Sequence, residues 1–279
     1  MTQFRAGLIG SGIQASLTPA MHEAEGAAQG HAYSYELIDT DRRPEPLTDL
    51  LDWAQAEGFS GLNITHPYKQ TVMPLLDRLD PDAEALGAVN TVVLRGGLRV
   101  GHNTDWSGFA EGLHRAQPNA PLGAVVQLGA GGAGSAVAYA LLKRGTGRLA
   151  IFDNDAAKAA DLVTRMAALF PDAEVVVGQD LATAVDNADG LVNCTPVGMA
   201  KYPGAPLPLE YLRPSVWVAD VVYFPLETAL LAAARAKGCA VIDGGGMAVF
   251  QAVEAFRLIT GLTPDPERMI ASFKRLLAA

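Results

Sequence analysis

The stretch VVQLGAGGAGSAVAYALL, residues 125–142, constrains this chain more than any other. Its first residues read as a buried strand, Gly129, Gly131 and Gly134 stand in G-x-G-x-x-G spacing with Gly132 in the same turn, and an alanine-rich helix opens at once. Glycines there permit a tight turn, close approach of the backbone to a pyrophosphate, and close packing of helix on strand. The helix N-terminus adds a preference for negative charge. The spacing alone is common among α/β proteins, whereas strand, turn and helix in immediate succession favour a dinucleotide site.

The next strand, RLAIFD, ends at Asp153, 24 positions after Gly129. A carboxylate at that distance suits the adenosine ribose, whose hydroxyls donate to it, and it repels a 2′-phosphate. The residues that follow, Asn154 and Asp155, offer no cation for such a phosphate. NAD is therefore the expected cofactor, rather than NADP. Helix capping is the competing role for Asp153, and Asp155 is equally suited to it.

Strands and helices alternate along most of the chain. RAGLIG, YSYELID and GLNIT read as strands separated by the helices TPAMHEAEGAAQ and LTDLLDWAQAE, the rhythm of a parallel sheet. NTVVLRGGLRVGHNT reads as a hairpin turning at Gly96 and Gly97, followed by the helix WSGFAEGLHRA. QPNAPLG, with two prolines, is a candidate boundary region. A second α/β run starts with the glycine turn and continues to CAVIDG, and the chain closes on two helical segments with no further strand to complete. The fold class is α/β with two domains.

Composition narrows the function. The chain has 279 residues, 49% hydrophobic, with 30 acidic against 21 basic residues and a formal charge of -9. With no Lys/Arg run to follow a phosphate backbone, nucleic acid is not expected as a partner. No segment has the length and hydropathy of a membrane span, and the N-terminus lacks the pattern of a signal peptide. Cys194 and Cys239 both sit in apolar runs, suiting free buried thiols and a cytoplasmic setting. No Cys/His spacing suggests zinc, and no metal is expected. A homodimer is allowed, although nothing in the sequence requires one.

Two stretches of the first half carry polar residues in unusual places. In GLNITHPYKQ, Leu62 and Ile64 alternate with Asn63 and Thr65 before Pro67 stops the run, with Lys69 on the next turn. Ordinary strand-end chemistry and a solvated lysine explain that pattern taken alone. In SLTPAMH, Ser16 and Thr18 precede a helix expected to open at Pro19 with Thr18 as its N-cap. Hydroxyls and free backbone N–H groups at a helix start also suit a small carboxylate.

These residues resemble the shikimate dehydrogenase family, including its quinate/shikimate and aminoshikimate branches. The matching blocks are SLTP, NITHPYK, GAVNT, NTD, GAGGAG, NCTPVGM, VVYFPLETALL and GMAVFQAVEAF, in the family's order from near residue 10 to near residue 260. The resemblance implies two α/β domains with an intervening cleft: an N-terminal substrate-binding domain over residues 1–106, a Rossmann-type NAD-binding domain over 107–244, and C-terminal helices over 245–279 returning to the first. It implies that Ser16 and Thr18 hold the carboxylate of a small hydroxy acid, that Thr65, Asn90 and Gln251 bind ring hydroxyls, and that Tyr223 lies near the substrate. Lys69 and Asp105 would be the catalytic pair, and Asn193 and Thr195 would lie on the cofactor side.

The chemistry suits those residue types. Oxidising a ring alcohol removes the hydroxyl proton while carbon gives hydride to nicotinamide, and a lysine beside the oxygen can exchange that proton and stabilise developing alkoxide. Asp105 would hydrogen-bond the hydroxyl and orient Lys69, while its charge favours the protonated lysine, so the sequence leaves open which of the two carries the proton. His66, inside the same block, is expected on the opposite face of the strand from Thr65, in a surface or packing role. Thr18 stands where the biosynthetic branch usually carries serine, and Asp153 where that branch carries residues gripping the NADP phosphate. Gly244, Gly245 and Gly246, with Phe250, replace bulkier polar residues of the quinate-using branch, which points to shikimate or an amino analogue ahead of quinate. The alternative is a non-catalytic NAD- or metabolite-sensing protein on the same fold. Retention of both Lys69 and Asp105 favours the enzyme.

Overall fold

A computed structural model describes residues 2–278, which divide into two compact units, residues 2–104 with 249–278 and residues 105–248. In the first, β1 (Gln3–Gly10), β2 (Ala32–Asp39) and β3 (Gly61–Ile64) run parallel in the order β2-β1-β3. Helices α1 (Thr18–Ala28) and α2 (Leu47–Ala56) make the crossovers. The sheet then changes character. A two-residue strand β4 (Arg78–Leu79), helix α3 (Pro81–Leu86) and the hairpin β5 (Thr91–Arg95) to β6 (Leu98–His102) complete six strands in the order β2-β1-β3-β5-β6-β4, with β5 antiparallel to both neighbours. Gly96 and Gly97, at φ of 61° and 79°, supply the positive dihedrals of the hairpin turn.

The core of this unit is the face where Ile9, Ile38, Leu62, Ile64 and Val92 meet Leu50, Leu51 and Ala54 of α2. Apolar residues of α2 recur at 47, 50, 51 and 54, the spacing that puts them on one helical face. The last helices, α9 (Gly245–Thr260) and α10 (Pro266–Leu277), contribute here as well, since α10 packs on α1. Buried Glu25 of α1 fastens them, accepting from Arg268 Nε at 2.6 Å and Nη2 at 3.1 Å, from Gln29 Nε2 at 2.6 Å and from the Asp265 amide at 2.9 Å.

The second unit opens with α4 (Asp105–Ala116) and builds a parallel sheet from β7 (Ala124–Leu128), β8 (Arg148–Phe152), β9 (Glu174–Val177), β10 (Gly190–Asn193), β11 (Trp217–Asp220) and β12 (Val241–Ile242). Helices α5 (Gly132–Lys143), α6 (Ala156–Leu169), α7 (Leu181–Asp186) and α8 (Ala229–Ala236) connect them. The order β12-β11-β10-β7-β8-β9 is that of the doubly wound dinucleotide fold, whose order reverses between β7 and β10. Nearly all of α5 is buried, which its alanine-rich sequence permits. QPNAPLG forms the link from α4 to β7 within this unit, so its prolines mark a turn rather than the division between units. That division falls instead beside Asp105 and inside α9.

Candidate functional site

At the switch point the glycines have separable reasons. Gly129 has φ +98°, and a Cβ there would lie 2.9 Å from the carbonyl of Cys194 and 3.0 Å from the Thr195 nitrogen, so the turn after β7 lies against the turn after β10. A Cβ on Gly134 would collide with the Gly129 carbonyl oxygen. Gly131 and Gly132 differ, because a Cβ on either would meet nothing within 4 Å. Two glycines thus shape the turn and two leave open space at the N-terminus of α5, where Gly131 is the N-cap residue and makes no side-chain cap. Such a cradle fits a dinucleotide pyrophosphate.

The carboxylate of Asp153, just past β8, accepts from the Ala130 amide at 2.7 Å through Oδ2 and from the Asp155 amide at 2.8 Å through Oδ1. Each oxygen keeps a lone pair beyond that bond for a ribose hydroxyl. Asp155, not Asp153, is the N-cap of α6, accepting from the Ala157 and Lys158 amides. Lys158 lies 3.6 Å from Asp155 Oδ2, an exposed pair.

Asn193 and Thr195 follow a different plan from that of a surface contact. Fully buried Asn193 donates from Nδ2 to the Val197 carbonyl and to Asp220 Oδ1, each at 2.9 Å, while its Oδ1 accepts from the Thr195 amide at 3.0 Å and hydroxyl at 2.7 Å. Every hydrogen-bonding position of that amide is used within the protein. Tyr223, 42% exposed, follows β11 beside Phe224, which is 63% exposed.

In the first unit β3 ends at Ile64, and the Thr65 amide still bonds to the Ile9 carbonyl at 2.9 Å. Thr65 packs its methyl where a side chain on Gly10 would stand, which accounts for the glycine at the end of β1. The backbone then turns, with Tyr68 N donating to Thr65 O at 2.8 Å, and His66 is exposed beyond the strand's end. Half-buried Lys69 accepts at its carbonyl from the Val89 amide at 2.8 Å, which ties its backbone to the residue before Asn90.

Asn90 is buried and oriented. Its Oδ1 accepts from the Thr104 amide at 2.7 Å and from the Thr91 hydroxyl at 3.1 Å, and its Nδ2 donates to Thr104 Oγ1 at 3.0 Å. Because a backbone N–H can only donate, the amide's oxygen end is fixed and the second Nδ2 hydrogen is left as a donor. Thr104 precedes Asp105, which opens α4 and is itself buried. Behind Asn90 runs a chain of polar groups: Asn63 donates to Thr91 Oγ1 at 2.9 Å and accepts from the Tyr35 hydroxyl at 2.8 Å.

Helix α1 starts at Thr18, with Leu17 as a cap residue whose side chain makes no cap, so Thr18 lies inside the helix rather than capping it. The displaced role falls to Ser16, whose Oγ accepts from the Thr18 amide at 3.4 Å. Both hydroxyl residues are half-buried. Gln251, also half-buried, lies on α9, which starts at Gly245, earlier than its apolar periodicity indicates. The glycines preceding it have packing reasons: a Cβ on Gly244 would lie 2.5 Å from the Val221 and Val222 carbonyl oxygens, and one on Gly246 would lie 3.2 Å from the Gly112 Cα. Gly244 and Gly246 thus have packing reasons of their own, apart from the expectation drawn from them.

Sequence reasoning passed over Asp220, Gln127 and the Asn63–Thr91–Tyr35 chain. Gln127 in β7 holds the Gly129 and Gly134 carbonyls from Nε2, each at 2.9 Å. Its signal was legible as one polar residue in an otherwise apolar strand. Burial pushes the carboxyl of Asp220 up to about 6, against the hydrogen bonds that Val222, Thr228 and Asn193 donate to it. Among the described residues no group of three His, Cys, Asp or Glu side chains could hold a metal ion, and no helix is long and apolar enough to cross a membrane.

Comparison with known proteins agrees with this fold. The family model described as the shikimate dehydrogenase substrate binding domain matches residues 8–92. The chain is 53% identical over 281 residues to a shikimate dehydrogenase (NADP(+)) of Arthrobacter sp. strain FB24, covering 99% of this chain and 96% of that protein. It is equally 53% identical, over 277 residues and 97% of each chain, to a quinate/shikimate dehydrogenase (NAD(+)) of Corynebacterium efficiens. The solved quinate dehydrogenase of Corynebacterium glutamicum in complex with NAD superposes with a TM-score of 0.95 at 50% identity, covering 99% of this chain and all of that one. The chain belongs to the shikimate dehydrogenase family of oxidoreductases.

Proposed function

We propose that this protein is an NAD-dependent dehydrogenase that interconverts shikimate, or a close analogue such as quinate or aminoshikimate, with its 3-dehydro form. The observation that carries this reading is the tethering around Asn90. Lys69 bonds by its carbonyl to the residue before Asn90, and Asn90 bonds by its side chain to Thr104, the residue before Asp105. The backbones of both proposed catalytic residues are thus anchored to one short segment that also presents an oriented amide donor.

In this reading the substrate carboxylate is held by Ser16 and Thr18 at the start of α1, where the N-cap residue Leu17 makes no side-chain cap. Asn90 donates to a ring hydroxyl, and Thr65 and Gln251 bind others. Lys69 takes up the proton of the reacting hydroxyl as it is oxidised and returns it in reduction, and Asp105 orients that hydroxyl and the lysine. When bound, the dinucleotide accepts or supplies the hydride. Gly131 and Gly132 leave room for its pyrophosphate, and Asp153 accepts from its ribose hydroxyls. A 2′-phosphate would meet Asp153 and Asp155, the charge environment that disfavours NADP. Names of relatives divide between the two cofactors, so the preference rests on these carboxylates.

The test is initial-rate measurement with shikimate, quinate and aminoshikimate, each with NAD and with NADP, following nicotinamide absorbance. Turnover of shikimate with NAD at a kcat/KM at least tenfold above that with NADP is expected. A preference for NADP would overturn the reading of Asp153. Tight NAD binding without turnover of any of the three acids would favour a sensor.

A further inference from the structure

Asp220 is a buried, hydrogen-bonded acidic group that the proposed chemistry leaves without a role. It is the last residue of β11, registered beside Asn193, the last residue of β10, at the carboxyl edge of the sheet. Only 2% of it is exposed. Its Oδ1 accepts from Asn193 Nδ2 at 2.9 Å and from the Val222 amide at 3.0 Å, and its Oδ2 accepts from the Thr228 hydroxyl at 2.8 Å. All three donors are neutral, so the charge is buried without a cation among its hydrogen-bond partners.

Those three donors belong to two loops. Through Asn193, the carboxylate reaches the segment after β10, where Asn193 in turn fixes Thr195 and the Val197 carbonyl. Through Val222 and Thr228, it closes the segment after β11, which carries Tyr223 and ends where Thr228 caps α8 by accepting from the Leu231 amide at 3.3 Å. The loops also touch, since a Cβ on Gly198 would lie 3.3 Å from the Thr228 methyl. The first of them lies against the glycine turn at Gly129. In a doubly wound sheet of this order, the half containing β10 to β12 is the second mononucleotide half, opposite the adenosine side.

We propose that Asp220 is a positioning residue for the nicotinamide half of the cofactor: one buried carboxylate holds the loops after β10 and β11 as a single surface. The proposal rests on the dinucleotide reading of this unit. A neutral apolar residue would fill the position at lower desolvation cost, but would leave the Asn193, Val222 and Thr228 donors buried without acceptors. Asparagine retains an acceptor for Asn193 and Val222 and loses only the bond taken from the Thr228 hydroxyl.

The experiment is NADH titration by fluorescence on the full-length protein, with KM for shikimate and for NAD measured alongside. Asp220→Ala is expected to weaken NADH binding at least tenfold and to raise KM for NAD while leaving KM for shikimate within twofold. Asp220→Asn is expected to restore NADH binding to within threefold of the unsubstituted protein. Thr228→Val, which removes the bond to Asp220 and the cap of α8 and keeps the carboxylate, is expected to weaken binding three- to fivefold, and it carries the test if Asp220→Ala does not fold. NADH affinity unchanged in Thr228→Val or in folded Asp220→Ala would overturn the proposal, as would equal losses for asparagine and alanine. Failure of the unsubstituted protein to bind NADH would instead refute the dinucleotide reading on which the proposal depends.

Discussion

The amide of Ala130 donates to Asp153 Oδ2 at 2.7 Å, so the carboxylate beyond β8 is fastened to the glycine turn beyond β7. The proposed ribose-binding acid and the proposed pyrophosphate cradle are thereby held as one piece. Asp153→Ser removes the charge and shortens the acceptor. A hydrogen bond to a charged group contributes about 1.5–3 kcal/mol, so KM for NAD is expected to rise roughly tenfold or more. KM for NADP should fall as repulsion is relieved. Steady-state kinetics with both cofactors check this.

Gly132 and Gly134 lie two residues apart and should respond in opposite ways. Gly132→Ala adds a methyl in open space in the first turn of α5, where alanine is the better helix former by up to about 1 kcal/mol. Its thermal midpoint should be unchanged or higher while its NAD affinity falls. Gly134→Ala drives a methyl into the Gly129 carbonyl and should lower the midpoint as well as NAD affinity. Thermal melts with and without NAD separate the two.

His22 is fully buried among Tyr33, Tyr35 and Phe256, with Nδ1 2.9 Å from the Tyr33 hydroxyl. Burial holds its ionisation down to about 3, from an ordinary 6.5. Between those values the unfolded chain binds a proton that the folded chain refuses. Stability from this group is therefore complete above pH 6.5 and is lost as pH falls toward 3. His22→Phe should flatten the thermal midpoint against pH over that window. An unchanged slope would show that other groups set the acid response.

Glu25 and Arg268 join α1 to α10, with the carboxylate buried and the guanidinium 39% exposed. Burial raises the Glu25 carboxyl, and the bonds from Arg268, Asp265 and Gln29 outweigh it, leaving the net value below the ordinary one. Arg268→Ala leaves that carboxylate without its cation and should cost roughly 2 kcal/mol, below the roughly 3–5 kcal/mol of a fully buried pair because one partner is solvated. Denaturant unfolding followed by far-UV dichroism measures it. A loss below about 0.5 kcal/mol would place this pair with ordinary surface pairs.

Much of this architecture was legible because its signals are local. GLNI alternates as a half-buried strand does, Gly96 and Gly97 announce the hairpin, and the glycine turn between VVQL and AVAYALL encodes strand, switch point and helix together. Short elements were not legible. β4 has two residues and α7 six, too few for a period to repeat. Thr18 looked like a cap because threonine before proline usually is one, yet α1 begins a residue sooner with Ser16 taking part of the work. The candidate residues could be named from sequence, but not their orientation. That Asn193 spends its whole amide on Thr195, Val197 and Asp220, while Asn90 keeps a hydrogen to offer, depends on neighbours up to 27 residues away. Packing likewise gives reasons for Gly244 and Gly246, which the family resemblance had linked to the substrate.

The central claim is that Lys69 handles the proton in NAD-dependent oxidation of a shikimate-like alcohol. Lys69→Ala, assayed with shikimate and NAD beside NADH titration and a thermal melt, tests it most directly. Loss of positioned proton transfer costs about two to four orders of magnitude in rate. Turnover should fall by that factor, with NADH affinity within twofold and the thermal midpoint little changed. Turnover within threefold of the unsubstituted protein would contradict the account.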